Sequence, residues 1–251
     1  MTTGAGQSER PLPKRFYKEV SVDAETAGGN AADGVWRLLL DGRPVKTPGK
    51  ALVAVATPVL AEALAEEWRA QGEFIDPETM PITKIVNSAI DGVAGRETEV
   101  AEDIVAFAGS DLLCYRADGP VELVRGQAAS WDPVLSWARE AMGAPPFVAA
   151  EGVMPVVQPE EALAAFAKEI DGAEALELCA LHVLTTLTGS ALLALAHIRG
   201  AISAEAAWTA AHVDEDYQIE QWGEDKEAST RRQLRWQEFL AASTVCEALR
   251  C

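Results

Sequence analysis

The 251-residue sequence predicts an α+β protein, with a small antiparallel β-rich N-terminal domain followed by a mainly α-helical C-terminal domain. Short strand-like runs with turn signals come first, and longer segments of helical periodicity follow. Pro145-Pro146 marks the change, because the chain beyond it is rich in Ala, Leu and Glu. We therefore predict a disordered N-terminus at 1–14, an N-terminal domain at 15–145 and a helical C-terminal domain at 146–251.

Four short runs predict the antiparallel sheet. They are rich in β-branched and aromatic residues and partly alternate with polar ones. Asp41-Gly42 is a dipeptide that favours a two-residue hairpin turn between two of these runs. The predicted strands are residues 16–22, 35–40, 43–46 and 52–56, with a loop at 27–34.

Helical signals follow the sheet. Thr57 suits an N-cap and Pro58 suits the first helical position. The predicted helices are residues 58–71, 83–90 and 96–108, one that starts near 132 and carries Trp137, a short one after Pro159, and 174–198, 203–222 and 225–249. Short strands are predicted at 112–115 and 121–124.

The charge balance limits the choice of partner. The chain carries 39 acidic and 21 basic residues, a formal net charge of −18. Such a chain should repel nucleic acid and anionic membrane surfaces, so we expect neither as a partner. The charge suits a basic protein partner or simply favours solubility, and composition does not decide between the two.

One apolar segment, residues 176–196, is long enough to cross a bilayer. Glu177 and His182 lie inside it, and it lacks an aromatic belt and strongly basic flanks. We therefore expect a buried central helix and no membrane insertion. The N-terminus lacks the apolar core of a secretory signal, which predicts a cytoplasmic bacterial protein.

The cysteines predict no metal or redox site. Cys114, Cys179, Cys246 and Cys251 show no CxxC spacing. Cys114 and Cys179 lie in apolar runs and should be buried thiols, whereas Cys246 and Cys251 should at most be exposed thiols. This usage indicates a reducing compartment.

The most informative segment is VDEDYQIEQWGEDKE at residues 213–227, where seven of fifteen residues are acidic. A mainly apolar stripe with spacings of 4, 3, 4 and 3 passes through it and places Glu215 on the face expected to pack inward. A carboxylate there needs a partner, which indicates a surface that grips another protein. The stripe consists of Trp208, His212, Glu215, Ile219 and Trp222.

No recognisable catalytic or cofactor motif accompanies this segment. The three histidines form neither HExxH nor HxH, and the sequence contains neither GxSxG nor a phosphate-binding glycine loop. We therefore predict no enzyme activity, no cofactor and no metal. The acids at 214–227 still leave three interpretations: a solvated face, a protein-docking surface, or oxygen ligands for Mg²⁺ or Ca²⁺ in a metal-dependent enzyme.

Several segments together resemble a known protein family. They are RFYKEVSV, WRLLLDGRPVKTPGKALVAVATPVLAEALAEEW, MPITKIVNSAIDGV, SDLLCYRAD, the pair Trp131 and Trp137, and EDYQIEQWGEDKEA. Their order and content, over residues 15–245, are similar to the assembly chaperones for the α subunit of the F-type ATP synthase catalytic head. That family has mitochondrial members and α-proteobacterial relatives.

The resemblance implies a non-catalytic chaperone that binds the unassembled α subunit and masks the surface that later meets the β subunit. It implies the mitochondrial matrix for eukaryotic relatives. The family's acidic position in EDYQIEQWG matches Glu215 or Asp216. The predicted partner-binding residues are Asp214, Glu215, Asp216, Glu220 and Trp222.

Overall fold

The computed structural model describes residues 11–25, 34–152 and 155–250. A small sheet near the N-terminus is followed by a mostly helical region, which confirms the α+β prediction. The strands are β1 (Val20–Glu25), β2 (Val35–Leu40), β3 (Arg43–Pro44), β4 (Ala54–Val55), β5 (Tyr115–Arg116) and β6 (Ala150–Glu151). The helices are α1 (Pro58–Arg69), α2 (Pro81–Ser88), α3 (Glu97–Gly109), α4 (Val121–Met142), α5 (Glu160–Glu169), α6 (Ala175–Thr188), α7 (Ala191–Ile198), α8 (Ala204–Ala211), α9 (Val213–Trp222) and α10 (Lys226–Leu249).

The N-terminal sheet is antiparallel in the order β1-β2-β3, and β4 pairs with the opposite end of β2. The predicted turn is confirmed, since Asp41 and Gly42 have φ of 48° and 74°. The Asp41 carboxylate accepts hydrogen bonds from the backbone N–H groups of Lys18 and Glu19, at 3.1 and 2.8 Å. Strand β1 therefore begins at Val20, later than predicted, because the backbone N–H groups of Lys18 and Glu19 bind the Asp41 side chain instead of pairing with β2.

Part of the predicted irregular structure lies outside the described residues. This applies to residues 1–10 and to the predicted loop at 27–34, apart from Gly34. Within the stretch predicted to be disordered, the Pro13 carbonyl accepts a hydrogen bond from Ile75 at 2.8 Å, and Lys14 forms a β-bridge with Phe74. These pairings attach the end of that stretch to the segment after α1.

Helix α1 begins as predicted. The Thr57 hydroxyl accepts a hydrogen bond from the Leu60 N–H at 3.3 Å and caps the helix. Further along α1, the Glu67 carboxylate accepts hydrogen bonds from the backbone of Ile82 and Thr83 at 2.6 and 2.8 Å. Glu67 thereby satisfies the free N–H groups at the start of α2, which has no cap of its own.

Helix α4 corrects two predictions. Residues 121–124, predicted as a strand, form its first turn, so the helix starts well before the predicted position near 132. The Trp131 indole N–H donates to the carbonyl of Ala210 at 2.7 Å and holds α4 against α8. This packing outweighs the β propensity of the first turn and the hydrogen bond lost at Pro133. The buried side chains recur at helical spacing: Gln127, Trp131, Val134 and Ala138.

The predicted helix at 174–198 is divided into α6 and α7. The Ser190 hydroxyl accepts a hydrogen bond from the Leu193 N–H at 3.0 Å, so α7 has its own N-cap. Every residue of α7 is buried, which agrees with the expectation of a buried apolar segment. Within the described ranges, no helix is both long and apolar enough to cross a membrane.

Asp111 fixes the position of this break. Its buried carboxylate accepts hydrogen bonds from the Ser190 hydroxyl at 2.7 Å and from the Leu192 N–H at 3.0 Å. It also accepts from Leu113 at 3.0 Å, so residues 112–115 begin as a 3-10 turn instead of the predicted strand. Burial raises the pKa of Asp111 to about 6, although these donors favour the charged form.

The thiols are more buried than predicted. Cys114 and Cys179 are buried, as expected, but Cys246 is buried as well. The prediction for Cys246 is wrong because its side chain lies on the face of α10 that packs into the core. Cys251 lies outside the described residues.

Elements from both sides of Pro145-Pro146 pack together. Strand β5 pairs in parallel with β6, α3 packs on α5, and α10 contacts α1 and α2. Their buried apolar side chains form one cluster. The division into domains at 15–145 and 146–251 stays a prediction.

Candidate protein-binding surface

A break at His212 separates α8 from α9, which the sequence predicted as one helix over 203–222. The ring Nδ1 of His212 lies 2.7 Å from the carbonyl oxygen of Trp208. Since a carbonyl only accepts, Nδ1 carries the proton and donates it. In a continuous helix the backbone N–H of His212 would bond to that oxygen, but it bonds to the carbonyl of Thr209 at 3.1 Å. The chain therefore restarts as α9.

This break interrupts the predicted inward stripe. Trp208 and His212 are buried, whereas Glu215 is exposed and no residue of α9 is buried. The prediction that Glu215 packs inward is wrong, because α9 does not continue the periodicity of α8. Ile219 is 38% exposed and Trp222 is 78% exposed, so α9 presents apolar side chains to solvent.

An aromatic cluster packs between α8 and α10, next to the start of α9. The Trp208 ring lies 4.1 Å from His212, 5.3 Å from Trp236 and 5.5 Å from Phe239, measured between centroids. Trp236 and Phe239 stack with an interplanar angle of 16°. Such pairs contribute roughly 0.5–1.5 kcal/mol each beyond their buried area. The cluster fixes the second half of α10 against α8.

The first half of α10 extends beyond this cluster and leaves a groove beside α9. No residue of α10 before Trp236 is buried, which shows that this part of the helix projects from the core. The space has a volume of about 860 Å³, and we call it the C-terminal groove. Its lining includes Trp208, Glu215, Ile219, Trp222, Ser229, Arg232 and Trp236.

Three of the five predicted partner-binding residues are exposed on α9. Glu215 and Trp222 line the C-terminal groove. Glu220 is exposed and lies outside the lining. The structure therefore brings Glu215 and Trp222 together and leaves Glu220 apart.

The other two predicted residues hold α9 in place. Asp214 accepts a hydrogen bond from the side-chain amide of Gln127 at 2.7 Å, which ties α9 to α4. Asp216 forms an ion pair with Arg232 at 2.5 Å, which ties α9 to α10 across the groove. Because both partners of this ion pair are partly exposed, it stabilises the fold only modestly. Its main effect is to set the spacing of the two helices.

Glu215 has no cationic partner among the described side chains that surround it. Glu215 interacts electrostatically with His212, and burial lowers the pKa of that imidazole, with a further decrease from Arg232. His212 is therefore neutral at pH 7. The Glu215 carboxylate can consequently receive a cation supplied by another molecule.

The described residues offer no metal centre. They bring together no three His, Cys, Asp or Glu side chains that could hold a metal ion.

One Ser–His contact has a spacing typical of catalytic pairs. His197 Nε2 lies 2.8 Å from the Ser243 hydroxyl, and His197 Nδ1 lies 3.2 Å from the Ile202 carbonyl. Both side chains are buried, and neither lines the C-terminal groove. The pair ties α7 to α10.

Sequence reasoning missed part of the groove. Ser229, Arg232 and Trp236 come from α10, which was predicted as a helix without a functional face. Their spacings of three and four residues place them on one side of a helix. That periodicity was the available signal, although it does not reveal which helix lies opposite.

Comparison with known proteins identifies the family to which the chain belongs. A family model described as ATP12 chaperone protein matches residues 14–139. The Atu1473 protein of Agrobacterium tumefaciens is 48% identical, with 96% of this chain and 88% of that chain covered and a TM-score of 0.89. Atp12 of Paracoccus denitrificans is 40% identical, with coverage of 94% and 98% and a TM-score of 0.84. The mitochondrial protein atp12 of Schizosaccharomyces pombe is 22% identical over 254 residues, which cover 95% of this chain and 85% of that protein.

The chain matches two of these bacterial proteins along nearly its whole length, and the matched family model is that of a chaperone. The chain belongs to the ATP12 chaperone family. The resemblance drawn from the sequence motifs is confirmed, including the expected α-proteobacterial relative.

Proposed function

We propose that the chain binds the unassembled α subunit of the F-type ATP synthase and shields its subunit interface until the catalytic head assembles. The observation that carries this proposal is the C-terminal groove, which places the exposed Ile219 and Trp222 beside the unpaired Glu215. Family membership supports a chaperone, and the sequence resemblance supports this client. The proposed setting is the bacterial cytoplasm.

Shielding explains why a groove is needed and a catalytic centre is not. An unassembled subunit exposes a large apolar interface, and such patches drive aggregation. A chaperone must cover that interface and later leave it, so moderate affinity with fast association suits the task. Acidic side chains around an apolar groove accelerate encounter with a basic client surface through electrostatic steering.

We assign Glu215 the direct contact with a client arginine or lysine. A charge-assisted hydrogen bond in a partly desolvated groove contributes about 1.5–3 kcal/mol. Trp222 and Ile219 would cover the apolar part of the client surface. Asp214 and Asp216 would act through the position of α9, and Glu220 mainly through the rate of association.

The test is binding of purified α subunit to the intact chain, measured by biolayer interferometry. Glu215→Lys should weaken binding by about 10- to 150-fold, the range expected from the loss of one charge-assisted hydrogen bond. Its melting temperature should change little, because Glu215 is exposed.

Glu220→Lys is the matched control, since it makes the same charge change at an exposed position of the same helix outside the groove. It should leave the dissociation rate nearly unchanged. Equal losses for both variants would show that net charge, and not the groove, governs binding. Failure of the wild-type chain to bind the α subunit would refute the proposed client.

A further inference from the structure

A second groove lies beside the N-terminal sheet. It has a volume of about 570 Å³, and we call it the N-terminal groove. The segment before β1 forms one side, and the β2–β3 hairpin forms the other. Its lining includes Phe16, Tyr17, Leu40, Arg43, Lys46 and Trp68.

Internal contacts fix the shape of this groove. The Tyr17 hydroxyl donates to the carbonyl of Trp68 at 2.7 Å, and the two rings lie 5.6 Å apart. On the opposite side, Asp41 binds the backbone of Lys18 and Glu19. Both walls are therefore held in place before any partner arrives, which lowers the entropic cost of binding.

Phe16 is the exposed apolar side chain of the groove. It is 73% exposed and touches Tyr17 edge-to-face with ring centroids 5.4 Å apart. Its neighbour Leu40 is buried in the floor. An aromatic ring that stands over an apolar floor provides a contact for an apolar side chain of a partner.

The side chains around this groove carry a positive excess, unlike the molecule as a whole. Arg43 and Lys46 line it and Lys18 flanks it, and all three are exposed. Two carboxylates accompany them, because Asp41 lines the groove and accepts two backbone hydrogen bonds, and the exposed Glu19 adjoins Lys18. The three cations outnumber these two carboxylates, so the groove has a local positive excess on a chain of net charge −18.

We infer that the N-terminal groove binds an extended protein segment in which an apolar side chain is flanked by carboxylates. The apolar floor and Phe16 would hold the apolar side chain, and Lys18, Arg43 and Lys46 would pair with the carboxylates. A second copy of this chain is disfavoured as the occupant, because two molecules of charge −18 repel each other.

This inference goes beyond the proposed function, which depends on the C-terminal groove and a basic contact. The two grooves select opposite charges, so together they would orient a client. Two linked contacts also raise the overall affinity above that of either one alone.

The experiment uses a fluorescein-labelled synthetic peptide with one phenylalanine between pairs of acidic residues, and a second peptide with lysines in place of the acids. Fluorescence anisotropy with the intact chain at moderate salt should show binding of the acidic peptide that depends on the N-terminal groove, whereas any binding of the lysine peptide should depend on Glu215 in the C-terminal groove. Arg43→Glu/Lys46→Glu should weaken that binding by about tenfold or more, since the loss of one charge-assisted bond changes affinity by about that factor. Phe16→Ala should also weaken it.

The control variant is Arg139→Glu/Lys168→Glu, which changes the net charge equally at exposed positions away from the groove. It should bind the acidic peptide like the wild-type chain, and so should Glu215→Lys, whatever the fate of the proposed function. Thermal melts must show that all variants fold. No binding of the acidic peptide, or equal losses of that binding in the test and control variants, would overturn the inference. So would a dimer that dissociates on Phe16→Ala, which would make a second copy the occupant.

Discussion

Trp222 gives the most quantitative test of the C-terminal groove. A tryptophan exposes about 150–250 Å² when unfolded, and 78% of Trp222 remains exposed, so roughly 120–200 Å² is available to a client. If a client covers half of it, burial at about 25 cal/mol per Å² stabilises the complex by about 1.5–2.5 kcal/mol. Trp222→Ala should therefore weaken binding of the α subunit by roughly 10- to 60-fold.

Stability separates this effect from damage to the fold. Because Trp222 is mostly exposed, its replacement should change the free energy of unfolding by less than about 0.5 kcal/mol. Isothermal titration calorimetry measures the affinity, and urea denaturation measures the stability. Leu234→Ala is the control, since Leu234 is 62% exposed on α10 but does not line the groove. Unchanged affinity for Trp222→Ala, or an equal loss for Leu234→Ala, would refute the reasoning.

The other predictions concern the supports of the groove and the core. Asp111→Asn should lower the free energy of unfolding at neutral pH by about 1–3 kcal/mol, because its amide cannot accept every hydrogen bond that the carboxylate accepts. Asp111 has a folded-state pKa of about 6, above its unfolded value near 3.9. Between these two pKa values the folded state binds more protons than the unfolded state. The free energy of unfolding of the wild type, relative to that of Asp111→Asn, should therefore fall by about 2 kcal/mol from about pH 4.5 to 7. A difference that stays constant with pH in urea denaturation would contradict this. Asp216→Asn should lower the free energy of unfolding by only about 0.2–1 kcal/mol, yet weaken client binding, because α9 loses its ion pair with Arg232. Unchanged binding would show that Asp216 does not position α9 for the client. In a Cys251→Ser background, the three remaining thiols should resist iodoacetamide at pH 8 until the protein unfolds, and mass spectrometry measures the labelling. Burial raises the pKa values of Cys114, Cys179 and Cys246 to about 12, 11 and 12. Rapid labelling of the native protein would contradict their burial.

Features governed by local chemistry were predictable from the sequence. Asp41-Gly42 favours a turn because both residues tolerate positive φ. The Thr57 hydroxyl caps α1, and the Asp225 carboxylate caps α10 by accepting a hydrogen bond from the Ala228 N–H. Each of these signals involves neighbours within a few residues, so no knowledge of the packed core was needed.

Features governed by distant contacts were not predictable. The break between α6 and α7 depends on Asp111, which lies far from it in sequence. The first turn of α4 has β-forming residues and becomes helical through packing around Trp131. In such places the tertiary contact decides the local structure.

The C-terminal groove combines features that the sequence indicated with features that depend on distant contacts. Glu215 and Trp222 were found from the sequence because an acidic and aromatic segment is unusual. The exposure of Glu215 was not predicted, since α8 ends at His212, where the ring binds the Trp208 carbonyl, and α9 does not continue its periodicity. Arg232 and Trp236 became visible only once α10 was known to lie opposite α9.

Suppression of aggregation tests the central claim most directly. Light scattering follows purified α subunit as it is diluted from denaturant, alone or with an equal amount of the intact chain. The wild-type chain should suppress the scattering, and a Glu215→Lys/Trp222→Ala double variant with an unchanged melting temperature should not. Equal suppression by the double variant would contradict the claim that the C-terminal groove shields the client.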